Sequence, residues 1–306
     1  MTKEVVSALQ SGERESLDEV LDAFGKSYDD AAGTPNIEEI SDMVIEHHTN
    51  GQLERFRALK ERIRELVRDA ILGVENPDIS NQVEFFERIK ARAFDRATDV
   101  WVFTTNYDLL FEDACAEVGL KMVNGFIGAT TRCFSEREFS LVSGTVTGNR
   151  FSQEGGLTVR LVKLHGSVSW FRKDERIFEA APNAINEAEA RCMVLPRRTK
   201  VLETLSSPYD RLFRLSSSIL GDKCKHLISS GFSFGDSHIN ETLVSPKIDS
   251  GAISFFNFCQ DEPMTLSASR TRPNVWHFCK DKTVNGGREI EASYDTWKFG
   301  EFVKLF

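Results

Sequence analysis

Three short segments combine side chains that can move protons, orient water and hold the oxygens of a sugar phosphate. They are Thr104-Thr105-Asn106-Tyr107-Asp108, Lys163-Leu164-His165-Gly166-Ser167 and Gly231-Phe232-Ser233-Phe234-Gly235-Asp236-Ser237-His238-Ile239. The first offers hydroxyls, an amide and a carboxylate. The second carries histidine, the side chain that exchanges a proton near neutral pH, beside a glycine that permits a strained turn or the close approach of a ligand. The third offers Gly, Ser and Asp, suited to ribose hydroxyls and, through backbone N–H groups, to phosphates. Each segment also has a plainer reading. Thr105 or Asn106 can cap a helix that starts at Tyr107, His165 can be a structural residue ending a strand, and Asp236 or Ser237 can cap a following helix.

All three segments follow short apolar runs that read as strands: Val100–Thr104, Leu157–Leu164 and His226–Phe234. In an open α/β sheet, ligands bind beyond the carboxyl ends of the strands, and the three segments stand there. Further strands are expected near Lys121–Phe126, Met193–Leu195, Ala252–Cys259 and Asn274–Cys279. Helices are expected over Tyr107–Val118, closed by Gly119, from Pro208 to Gly221, and over Tyr294–Leu305. The first hundred residues read as helical. Leu53, Phe56, Leu59, Ile63, Leu66, Val67, Ala70 and Ile71 recur at helical spacing before Gly73, and a second helix is expected over Val83–Phe94. The alternation predicts an α/β fold with a mainly parallel sheet behind an N-terminal helical region. Residues 1–98 form that region and 99–306 the sheet region, packed as one unit, with 127–156 an inserted loop or hairpin.

Composition narrows the chemistry. The 306 residues carry 38 Lys+Arg against 47 Asp+Glu, a net charge of -9. Such a chain lacks the broad basic footprint that nucleic-acid backbones select for. No run approaches the ~18 apolar residues of a membrane helix, and the N-terminus lacks the pattern of a signal peptide, so a cytoplasmic protein is expected. The six cysteines show no paired spacing for zinc and read as reduced core residues. Phe24-Gly25-Lys26-Ser27 imitates the end of a phosphate-binding loop, but Val20 stands where that motif needs glycine, so a helix-end turn is expected. His47-His48 reads as a surface pair. No metal is expected.

Taken in order and spacing, TTNYD, KLHGS and GFSFGDSHI resemble the sirtuin-like domain of bacterial anti-phage defence proteins, which hydrolyses NAD and depletes the infected cell of it. The stretch FTTNYDLLFEDACAEVGLKMVNGFIGATTRCF is especially similar to the sirtuin-like subunit that acts with a HerA-type ring ATPase. The resemblance covers roughly residues 100–240 and implies a Rossmann-like sheet. It implies that Asn106 holds the nicotinamide ribose or a water and that His165 is the catalytic histidine. Asp108 matches the aspartate of the sirtuin Thr-Gln-Asn-x-Asp motif, and Gly231 and Ser233 match the Gly-x-Ser that lines the ribose and diphosphate. Thr104, Thr105, Gly166, Ser167, Asp236 and His238 complete the expected NAD contacts.

The departures also carry expectations. Thr105 stands where deacetylase sirtuins carry Gln, and their zinc module has no counterpart; both favour an NAD glycohydrolase over a deacetylase. The family's first strand and its Gly-rich phosphate loop have no match here, which leaves open a non-catalytic scaffold that oligomerises and recruits the ATPase. The 23 Phe residues are read as partly serving an interface, so a homo-oligomer bound to a HerA-type ATPase is expected.

Overall fold

The computed structural model describes residues 2–27, 35–51, 54–93, 96–186, 189–195 and 206–306. Among the described residues, five helices precede the first strand: α1 Thr2–Gly12, α2 Arg14–Ala23, α3 Ile37–Gly51, α4 Glu54–Leu72 and α5 Ser80–Ala93. The apolar stripes of α1–α4 close on one core around Leu9, Leu17, Val20, Ile40, Val44, Phe56, Leu59 and Ile63. A capping box starts α3: Asn36 Oδ1 accepts from the N–H groups of Glu38 and Glu39 at 2.9 and 3.0 Å, and Glu39 Oε2 accepts from the Asn36 N–H at 3.1 Å. After α2 the chain turns through Gly25 at φ +62, with the N–H groups of Gly25 and Lys26 on the carbonyls of Asp22 and Leu21. This is the helix-end turn expected for Phe24–Ser27. His47 is not the surface residue expected: it is half-buried, its ring 4.6 Å from that of Phe56. The side chain of His48, and Leu53 and Phe94 of the expected helices, lie outside the described residues.

The strands are β1 Thr98–Thr104, β2 Lys121–Val123, β3 Phe126–Gly128, β4 Arg132–Phe134, β5 Gly144–Thr147, β6 Arg150–Gln153, β7 Leu157–Lys163, β8 Gly166–Lys173, β9 Arg176–Glu179, β10 Ala190–Met193, β11 His226–Ser230, β12 Ser254–Phe258, β13 Val275–Phe278, β14 Lys282–Asn285 and β15 Arg288–Glu291; α6 covers Leu110–Val118. A parallel sheet runs β1-β7-β2, with Thr104 beside Lys163 at the carboxyl end. A second sheet runs β11-β12-β13-β14-β15; its first three strands are parallel and the last two antiparallel. An antiparallel sheet, β10-β8-β9-β4-β3, completes the fold, and β5-β6 form a separate hairpin. Val162 of β7, Trp170 of β8, Phe255 of β12 and Val275 of β13 share one hydrophobic core with Leu212, Phe213 and Phe234. The α/β class, the parallel sheet and the N-terminal helices are as the sequence predicts.

Several boundaries differ for identifiable reasons. The run Lys121–Phe126 is split between β2 and β3 at Gly125, at φ +83, where an added Cβ would meet the Phe139 ring at 2.5 Å. Helix α6 begins at Leu110, not Tyr107, because the Tyr107 carbonyl accepts from the Val168 N–H of β8 at 3.0 Å. The strand expected at Met193–Leu195 ends at Met193. The helix expected from Pro208 runs Tyr209–Ile219, with Pro208 one position before it. The C-terminal helix shrinks to Phe299–Val303, placed by an aromatic cluster in which Phe85 meets Phe299, Phe302 and Phe306 at 5.5 to 6.4 Å. Phenylalanine serves the interior: among the described residues Phe151 is the exposed one.

Candidate active site

The first two segments leave neighbouring parallel strands and are stitched together at once. The Leu164 N–H donates to the Thr104 carbonyl at 2.9 Å, and Ser167 Oγ donates to the Tyr107 carbonyl at 3.3 Å. The chain reverses directly from β7 into β8 at Gly166, where φ is +86 and a Cβ would stand 2.1 Å from the Cys192 carbonyl. Only glycine fits that turn. Its geometry leaves His165 buried at the strand end, its carbonyl accepting from the Val194 N–H at 2.9 Å.

The third segment comes from the other parallel sheet. Strand β11 ends at Ser230; Gly231 follows at φ +68, and the chain passes through Phe234, a buried residue in the left-handed region at φ +56. Two donors hold that strained carbonyl: Asn240 Nδ2 at 2.6 Å and Thr265 Oγ1 at 2.8 Å. Asp236 follows. Its Oδ1 accepts from the N–H groups of His238 and Ile239 at 3.1 and 3.3 Å, capping a short helix. Its other oxygen, Oδ2, lies 3.2 Å from His165 Nε2, with both side chains at most 5 % exposed. The aspartate thus serves as a helix cap with one oxygen and as the partner of His165 with the other.

Within the first and third segments, Asn106, Gly231, Ser233 and Gly235 are exposed. Asn106 is held by its backbone, its N–H donating to Thr104 Oγ1 at 3.0 Å, and its side chain is on the surface. Leu109 stands at the N-cap of α6 with no side-chain cap bond, so neither Thr105 nor Asn106 caps the helix; one residue earlier, Asp108 Oδ1 accepts from the N–H of the first helical residue, Leu110, at 3.2 Å. Ser233 Oγ accepts from the Gly235 N–H at 3.3 Å. His238 packs its ring 4.4 Å from Phe213, and burial is the main cause that lowers its pKa from the ordinary histidine value, the nearby Asp236 opposing. Ser167 is fully buried and works within the frame, bridging Tyr107, Lys163 and Ser169.

Two features escape the sequence reading. Lys163, beside His165 in the chain, sends its ammonium group to the Asp108 carbonyl, to Glu112 Oε1 at 2.8 Å and to Ser167 Oγ at 3.3 Å. It ties the first segment, α6 and the second segment together. Burial pushes the Glu112 carboxyl above its ordinary pKa, and the Lys163 charge opposes that rise. Tyr107 makes the second link, its hydroxyl donating to the Val194 carbonyl at 2.5 Å. The only sequence signal for either was a polar side chain within an otherwise apolar strand or turn.

The arrangement places an imidazole–carboxylate pair and an exposed carboxamide beyond the carboxyl ends of parallel strands. That combination can orient a sugar and receive a proton from an attacking water. Among the described residues, no group of three or more His, Cys, Asp or Glu is placed to hold a metal ion, and no described helix is long and apolar enough to cross a membrane. No curated protein matches the chain. The chain does match the SIR2-like domain over residues 100–273, more than half its length, a stretch that contains all three segments and runs from within β1 to the turn before β13. Such domains bind NAD, and the family includes NAD-dependent enzymes. This protein therefore belongs to the SIR2-like domain family.

Proposed function

We propose that the protein is an NAD glycohydrolase, cleaving NAD to nicotinamide and ADP-ribose. The observation that carries this reading is the buried contact between His165 and Asp236. In the reaction the bond between the ribose C1′ and the nicotinamide nitrogen breaks, and its electron pair leaves with nicotinamide. The ribose passes through an oxocarbenium-like state, as in glycoside cleavage. Water then forms the new C–O bond and gives up a proton to His165. Asp236 fixes the imidazole orientation and offsets the positive charge that develops on it, the role a carboxylate plays in a triad. Asn106 orients the ribose or the water, and Gly231 and Ser233 line the ribose and diphosphate. The test is release of nicotinamide from NAD by the purified protein and by its His165→Ala variant. Release by the parent and a loss of ~10²–10⁴-fold in the variant are expected. Equal release by the two would remove His165 from the mechanism.

The resemblance of the three motifs to anti-phage proteins supports a role in defence by NAD depletion, as a homo-oligomer with a HerA-type ring ATPase. One structural observation favours a second reading, a scaffold subunit that assembles and recruits the ATPase. All eight residues of the hairpin β5-β6 are exposed, and Val146 and Phe151 stand opposite each other on it, at 69 and 54 % exposure. We read this exposed apolar pair as part of a contact surface. Light scattering at micromolar concentration tests assembly: a mass well above 34.6 kDa supports it and a monomer mass throughout overturns it. Nicotinamide release then separates enzyme from scaffold.

A further inference from the structure

Cys259 and Cys279 lie immediately beyond the carboxyl ends of the adjacent parallel strands β12 and β13, and their sulfurs stand 3.7 Å apart. Both are buried. The pairing of Phe258 with Phe278 continues to them, since the Cys259 N–H donates to the Phe278 carbonyl at 3.2 Å. Neighbouring strands run about 4.8 Å apart, inside the Cα separation of about 4.4–6.8 Å that a disulfide spans.

We infer that Cys259 and Cys279 are a thiol pair that a hydroperoxide converts to a disulfide, a redox modification site built into the second parallel sheet. The two sulfurs are within hydrogen-bonding distance and either can donate; that interaction is the leading cause lowering the Cys279 pKa and raising that of Cys259. With Cys279 as the attacking sulfur and Cys259 as the resolving one, or with the two roles exchanged, the same disulfide results. In the first step the Cys279 thiolate attacks a peroxide oxygen; an S–O bond forms, the O–O bond breaks, and the departing hydroxide takes up the thiol proton as water. In the second, the Cys259 sulfur attacks Cys279; the S–S bond forms, the S–O bond breaks, and a second water leaves with the Cys259 proton. Two electrons pass from the sulfurs to the peroxide.

The pair is mechanically linked to the third segment. The chain after Cys259 reaches Thr265, whose hydroxyl donates to the carbonyl of Phe234 at 2.8 Å, two residues before Asp236. Closing the disulfide restrains that connection from behind.

The experiment treats the full chain with hydrogen peroxide, denatures it, alkylates the thiols and determines the mass, followed by tryptic mapping. The expected result is four alkylated cysteines of the six, and one cross-linked peptide joining residues 248–270 to 271–280. Reduction should restore six. Six alkylated thiols after oxidation, a cross-link between other cysteines, or oxygen added to Cys279 without a cross-link would each overturn the inference. Cys259→Ser should abolish the cross-link. The wild-type map decides the question even where that variant fails to fold, and its outcome is independent of whether the protein hydrolyses NAD.

Discussion

His165 and Asp236 stand 3.2 Å apart although they follow strands of two different sheets. Asp236 is fixed by the short helix it caps, and His165 by the turn at Gly166, so the contact is set by two rigid supports rather than by a loop. Asp236→Asn keeps an oxygen for the helix cap and removes the negative charge facing the imidazole. Thermal stability should change little, while NAD cleavage should fall ~10²–10⁴-fold. Asp236→Ala should lose the same activity and also ~1 kcal/mol of stability through the cap. Full activity in the Asn variant would show that the carboxylate only caps.

Asn106 is exposed and caps nothing; the side chain that accepts from the first N–H of α6 is that of Asp108. Asn106→Ala should therefore leave denaturant stability within ~0.5 kcal/mol and cut turnover strongly. Asp108→Ala should do the reverse on stability, costing ~1 kcal/mol. A stability loss for Asn106→Ala with activity intact would assign it a structural role instead.

Lys163 and Glu112 form a buried ion pair at 2.8 Å that joins the two segments. Lys163→Met leaves a buried carboxylate and the Asp108 carbonyl without their cation, and should cost ~3–5 kcal/mol. The double variant Lys163→Met with Glu112→Leu should recover most of that loss, because no charge remains buried. Urea unfolding of the three proteins measures this coupling; additive losses would refute it.

Two histidines make stability depend on pH. Burial is the leading cause that lowers the pKa of both His238 and His277, and His277 Nδ1 pairs with Asn257 Nδ2 at 3.2 Å, which requires the unprotonated nitrogen. Folded pKa values below the unfolded value of ~6.5 mean that the unfolded chain binds the protons first. The stabilisation is present above ~pH 6.5 and is lost as pH falls through the folded values. The melting temperature should drop between ~pH 7 and ~pH 5, and His277→Gln should flatten part of the slope. A melting temperature that is level over that range would mean neither ring stays neutral in the fold.

The sequence by itself determined the helical start, the parallel strands and the three segments at their carboxyl ends. Those features rest on local periodicity and on turn residues, which a short window of chain already contains. It did not disclose the antiparallel sheet around β8 and β9, because Gly166–Lys173 reads as a continuation of the histidine segment, and β10 on one side of the β8-β9 hairpin and β4 on the other come from distant stretches. The β14-β15 hairpin did carry a local signal, Asn285-Gly286-Gly287 with both glycines at positive φ, the composition of a tight two-residue turn. Residue types named Asn106, His165 and Asp236 as site residues, but only the tertiary structure made Asp236 the partner of His165, and only it placed Cys259 against Cys279. Both contacts join chain ends of neighbouring or facing strands, and strand order is decided by how whole sheets share a core, which no local spacing records.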